Sequence, residues 1–157
     1  MRLSQLKEYY DPTEAELQRG KHTFRIMMVM LTGPVKAPLV KIPIDAYWTS
    51  SKDFKEKDFP AFKAVDKKNN TLVAHMWMNH DVNGLRAWIA LYFNPDAEGQ
   101  RLCMELVEKV EEMKARLGLR STKENVRDVV PYNDYDKPHV GQKVIEWEIT
   151  GLEKSRE

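Results

Sequence analysis

Residues 72–93, LVAHMWMNHDVNGLRAWIALYF, contain two alternating runs of apolar and polar side chains joined at Asn83-Gly84. A period of two is the mark of a strand whose faces meet different surroundings. Asn-Gly is the pair favoured where a two-residue hairpin turn needs positive φ at both positions. A turn centred there pairs Val82 with Leu85 and sets Asp81 opposite Arg86, Asn79 opposite Trp88, Trp77 opposite Ala90 and His75 opposite Tyr92. One face then carries Ala74, Met76, Met78, His80 and Val82 beside Leu85, Ala87, Ile89, Leu91 and Phe93. The other is a ledge of His75, Trp77, Trp88, Tyr92 and Arg86. Because a one-residue slip exchanges the two faces, the hairpin specifies a core side and a chemically distinct second side.

The rest of the chain is expected to build around that hairpin. Asp11-Pro12-Thr13-Glu14 predicts a helix start with Asp11 as N-cap, and Gly20 a stop, which gives a short helix near residues 12–19. Residues 22–33, HTFRIMMVMLTG, are almost continuously apolar, with β-branched and aromatic members that predict a central strand. Residues 39–49 alternate, and Pro43 assigns them to an edge strand or a bulge. After the charged loop at 50–58, residues 61–66 and 71 onward read as a hairpin closed by Lys67-Lys68-Asn69-Asn70. Asn94-Pro95-Asp96 opens a long helix to about Leu117, with Gly118 placed to end it. Its stripe of Leu102, Leu106, Val110, Met113 and Leu117 is expected to cover the Met76, Met78, Ile89 and Leu91 face. Ser121-Thr122-Lys123-Glu124 has the form of a capping box and predicts a shorter helix before Pro131. Residues 144–150 alternate again, with Ile145, Trp147 and Ile149 inward.

These elements predict an α+β fold, an antiparallel sheet of five to six strands with a long amphipathic helix packed on one face. A length of 157 residues suits one domain. Its expected parts are an N-terminal helical segment (1–21), the sheet (22–93), the main helix (94–118), a short helix and loop (119–142), a late strand (143–150) and a polar tail (151–157). A single cysteine excludes an intramolecular disulfide. The start of the chain has no apolar signal core, and no apolar run reaches membrane-spanning length, so the expected location is the cytoplasm, with no membrane partner. A net charge of +1 argues against a polycationic nucleic-acid coat.

Known chemical signatures are sparse. His75 and His80 lie five apart, on opposite faces of a strand, and do not converge on a metal. Cys103 sits beside Leu102 and Leu106 and reads as a small buried hydrophobe. Asp134 and Asp136 form a D-x-D, but the positions after them lack the glycine and terminal glutamate of a calcium loop. The glycines at 20, 33, 84, 99, 118, 141 and 151 make no phosphate-binding loop, and no G-x-S-x-G is present. No catalytic group, metal or cofactor is expected.

The ledge remains. Aromatic side chains on a sheet face stack unpaired bases, and Lys63, Lys67 and Lys68 on the adjoining hairpin are placed to meet phosphates. The first reading is therefore a small non-enzymatic binding protein for single-stranded nucleic acid or nucleotides, acting through His75, Trp77, Arg86, Trp88, Tyr92 and the three lysines. A second reading is a protein-interaction or regulatory module, viral or accessory in character, that meets another protein or a second copy of itself. It follows from the preference of large aromatics for buried surroundings. A third is a small hydrolase with His139, Asp134, Asp136 and Tyr132 as acid–base groups under the 119–142 segment.

Overall fold

The computed structural model describes residues 13–43, 61–69, 71–81, 84–123, 125–130 and 139–155, with Leu72, His80, Asp81 and Lys123 described by backbone alone. The first helix, α1 (Glu14–Thr32), begins with a true capping box, but Thr13 is the N-cap. Thr13 Oγ1 accepts from the Glu16 N–H at 3.1 Å, and Glu16 Oε1 accepts from the Thr13 N–H at 3.1 Å. Asp11 and Pro12 lie outside the described residues.

Helix α1 continues through Gly20 and takes in residues 22–32, which corrects the expected central strand. Its buried positions, Leu17, Gly20, Phe24, Met27 and Leu31, recur every three to four residues. Apolar side chains on the remaining sides of the helix mask that period and make the segment look like a strand buried on both faces. Gly20 is no stop signal. A Cβ there would lie 2.0 Å from Leu85 Cδ2, so its missing side chain is what admits the helix to the sheet.

The sheet follows: β1 (Leu39–Pro43), β2 (Ala61–Asp66), β3 (Thr71–Asp81), β4 (Gly84–Phe93), then helix α2 (Ala97–Leu117), β5 (Arg120–Lys123), β6 (Arg127–Asp128) and β7 (Lys143–Thr150). All pairings are antiparallel, in the order β1-β2-β3-β4-β7-β5, with β6 beside β5 along the same side of β7. This is the expected α+β arrangement, with seven strands among the described residues and two helices on one face. The short helix predicted at 121–130 is absent from its described residues. The chain leaves α2 through Gly118 (φ 67°), buries Leu119, and is delivered directly to the open side of β7, where it pairs as β5. That ladder outcompetes a short helix with little surface to bury. The expected strand at 39–49 is present over 39–43, and residues 44–60 lie outside the described residues.

The hairpin keeps its predicted faces and shifts its register by two. Asp81 pairs with Gly84, Asn79 with Arg86, Trp77 with Trp88 and His75 with Ala90. An even shift preserves every side chain's face, so alternation cannot distinguish the two registers. The observed one sets two indoles directly opposite each other, a favourable cross-strand pair. Val82 and Asn83 lie outside the described residues.

Met76, Met78, Ala87, Ile89, Leu91, Trp147 and Ile149 form the core face under α1 and α2. The α2 stripe of Leu102, Leu106, Val110, Met113 and Leu117 is buried as expected. Asp96 caps that helix by accepting from the Gly99 N–H at 2.7 Å. Phe24 of α1 meets Phe62 of β2 edge-on at 6.3 Å. The C-terminal turn (Leu152–Lys154) is tied to the same helix, since Thr23 Oγ1 donates to the Leu152 carbonyl at 2.9 Å.

Replacing Gly20 tests the close approach. Helix propensity alone favours alanine by about 1 kcal/mol, whereas forcing a methyl group into a filled core costs about 1–3 kcal/mol. We expect Gly20→Ala to lower stability in urea unfolding by about 1 kcal/mol, and to be neutral or stabilising once Leu85→Ala has made room. Additive effects of the two substitutions would contradict this account.

Candidate functional site

The face of the sheet turned away from both helices is set by parity. Lys63 on β2, His75, Trp77 and Asn79 on β3, Arg86, Trp88, Ala90 and Tyr92 on β4, and Val144, Glu146 and Glu148 on β7 are mutual cross-strand neighbours. All five expected ledge residues and Lys63, six of the eight expected site residues, therefore share one face. Lys67 and Lys68 do not join them. They occupy the turn after β2, and Lys68 Nζ lies 3.8 Å from Glu98 on α2. At the rise of an extended strand, six residues from Thr71 to Trp77 put that turn roughly 20 Å from the indoles.

The face divides into two ends of different character. At one end, His75 (1% exposed) and Tyr92 (6% exposed) are buried. The Tyr92 ring stacks on His139 at 3.6 Å and 14°, and His139 Nδ1 lies 3.1 Å from Gln142 Oε1. Burial, and then the proximity of His139, pushes the His75 imidazole down to about 3, so it is neutral at ordinary pH. These rings are cover and support, not open binding surface. His139, named in the sequence as an acid–base candidate of the 119–142 segment, comes to this face as the buried ring that stacks on Tyr92. It lies far along the chain from β4, and no periodic signal marks a loop residue that folds back over a sheet.

Toward the other end, Trp77 and Trp88 are half-buried and stack at 6.0 Å with their planes 12° apart. Trp77 is backed by His75 at 4.6 Å. The Arg86 guanidinium lies 5.1 Å from the centre of the Trp88 ring and is ion-paired with Glu148, the cross-strand neighbour of Trp88 on β7. A continuous run thus joins Glu148, Arg86, Trp88, Trp77 and His75. The pairing of Arg86 with Asp81 drawn from the expected register is replaced by Asn79, and the arginine finds its carboxylate on β7 instead. Chemically the indole pair offers flat polarizable surface, and Arg86 a cation held in position at its edge.

Other candidates separate from this face. Cys103 is buried on α2, where burial pushes its thiol up to about 11 and leaves it unreactive at neutral pH. It borders a cavity of about 230 Å³ at the α2 N-terminus, lined also by Asp66, Asp96 and Glu98. The Asp66 carboxylate already accepts from the Lys68 N–H and from Asn69 Nδ2, both at 3.0 Å. Asp134, Asp136 and Tyr132 lie outside the described residues, as does the His80 side chain. Among the described residues no group of His, Cys, Asp or Glu converges to hold a metal, and no helix is long and apolar enough to cross a membrane.

No protein-family model, curated protein or solved structure matches the chain.

The depressed His75 pKa makes stability depend on acid. The unfolded imidazole titrates near 6.5 and the folded one near 3. Its contribution is therefore complete above about pH 6.5 and is lost progressively as pH falls toward 3, because only the unfolded chain takes up the proton. Between pH 7 and 4.5 the wild-type protein should lose about 2–3 kcal/mol more than His75→Gln. Urea unfolding of both proteins at the two pH values measures this, and equal losses would show that His75 titrates normally in the fold.

Proposed function

We propose that the protein is a cytoplasmic, non-enzymatic binding module whose working surface is the Trp77–Trp88 pair, and that its guest is a planar aromatic group such as an unpaired base or a nucleotide. The observation that carries this reading is the pair itself. Phe24, Phe62 and Trp147 are sealed in the core, whereas these two indoles remain partly open, parallel and side by side. Half-open parallel rings give a base a place to stack, a contact worth about 1–3 kcal/mol per base. Arg86 and Lys63 flank the pair on the same face and offer cations to a phosphate. His75 and Tyr92 act beneath this surface as supports. The single cysteine, free and buried, suits a reducing compartment.

Glu146 and Glu148 favour a second reading, in which the same indoles meet another protein. Both lie on β7 beside the ledge, where their charge opposes a phosphate track. Arg127 and Arg86 respectively pair with them and reduce that opposition.

Titration of the full chain with short single-stranded oligonucleotides, followed by tryptophan fluorescence, separates the two readings. Trp77→Ala and Trp88→Ala should each weaken binding by roughly 5- to 100-fold, and wild-type affinity should fall as salt rises. Because each indole is only half-buried, thermal unfolding should change less than for Trp147→Ala in the core. Salt-independent or undetectable binding would remove the nucleic-acid reading. Unfolding by either substitution as severe as that of Trp147→Ala would remove the surface altogether.

A further inference from the structure

Helix α1 carries apolar side chains beyond its inner stripe. Its inner stripe, Leu17, Gly20, Phe24, Met27 and Leu31, enters the core. A second stripe, Ile26, Val29 and Met30, also follows helical spacing; Ile26 and Met30 pack against the edge of the core, and Val29 faces outward. Val29 is 56% exposed and its two neighbours are half-buried. Together with Leu117 at the end of α2, this stripe floors an open groove of about 600 Å³. Among the described residues its charged lining is basic, Arg25 from α1 and Arg116 from α2, with His22 beside them. Among the described residues neither Arg25 nor Arg116 is engaged in an ion pair.

We propose that this groove docks an acidic amphipathic helix from a partner protein. The positions His22 to Met30 span two turns, about 12 Å at the rise of a helix, which matches a partner's anchors at i, i+3 or i+4, and i+7. Apolar anchors fill the floor while flanking aspartates or glutamates meet Arg25 and Arg116. Charge decides against a second copy of this chain as occupant. A two-fold interface places the same patch on both sides, so two basic linings would meet with no carboxylate among their described residues to pair them. Shape decides against a bilayer, because three of the four apolar floor residues are recessed between two helices. The groove lies on the helical layer, on the other side of the sheet from Trp77 and Trp88, so it stands independently of the function proposed for the indoles.

Selection of a displayed library of random 16-residue peptides on the immobilised full chain tests this. Enriched peptides should carry apolar residues at helical spacing with an excess of Asp and Glu. When synthesised, they should bind Arg25→Glu, Arg116→Glu and Val29→Asp at least about tenfold more weakly than wild type. A peptide with its acids changed to lysine should recover binding to the Arg25→Glu, Arg116→Glu double variant. All three residues are attached to solvent-facing positions or edges of the groove, and circular dichroism melts confirm that the variants fold. Failure to enrich, enrichment of neutral or basic sequences, or equal binding to the variants would overturn the proposal. So would a dimer in sedimentation that Val29→Asp dissociates, which assigns the groove to a second copy. Cosedimentation with phosphatidylglycerol vesicles that Val29→Asp abolishes would likewise overturn it in favour of a membrane surface.

Discussion

Closure of one apolar sheet face by two helices is the contact on which the rest of the molecule depends. Strands β3, β4 and β7 present Met76, Met78, Ile89, Leu91, Trp147 and Ile149 as one continuous layer, and none of it is stable in water alone. Helix α2 covers this layer with a single stripe, while α1 reaches it beside Phe62 and Leu85 because Gly20 removes the obstructing side chain. Each such side chain is worth about 1.5–3 kcal/mol when fully buried. Polar ties among the described residues include Thr23 donating to the Leu152 carbonyl and Trp147 Nε1 donating to Glu111 Oε1 at 3.3 Å. They fix how the helices and the C-terminal turn meet, more than how strongly the core holds.

Once that face is closed, strand alternation delivers the remaining side chains to the other one. Aromatic rings, two carboxylates, an arginine and a buried histidine are thereby brought together from β3, β4 and β7. The face is graded along its length. His75 and Tyr92 are shut in beside His139, where a charged imidazole is disfavoured, while the indoles and Arg86 retain access to solvent. A buried end supporting a partly open end is a suitable arrangement for holding two rings parallel.

Elements with one strong period were legible in the amino-acid order. The α2 stripe, its Asp96 and Gly118 ends, the inward residues of β7, and the two faces of the hairpin all emerge in the structure as expected. Residues 22–32 were not legible in this way, because a helix with apolar side chains beyond its inner stripe lacks the polar face that would reveal its period. Ser121 to Glu124 misled for a different reason. Its capping pattern is local, whereas the open side of strand β7, distant in the chain, takes the segment as β5. The candidate site shows the same division: alternation puts Trp77, Trp88, Arg86 and His75 on one face, but only the fold turns Lys68 toward Glu98 and stacks His139 on Tyr92.

Side-chain alternation by itself determined which residues of the hairpin share a face, since parity is a property of consecutive positions and survives any even shift in pairing. Tertiary structure alone decided that Trp77 stands opposite Trp88, that Arg86 pairs with Glu148, and that α1 is a helix lying against Leu85. Those outcomes depend on contacts between segments far apart in the chain. Their energies are set by what packs beside them, which no local pattern encodes.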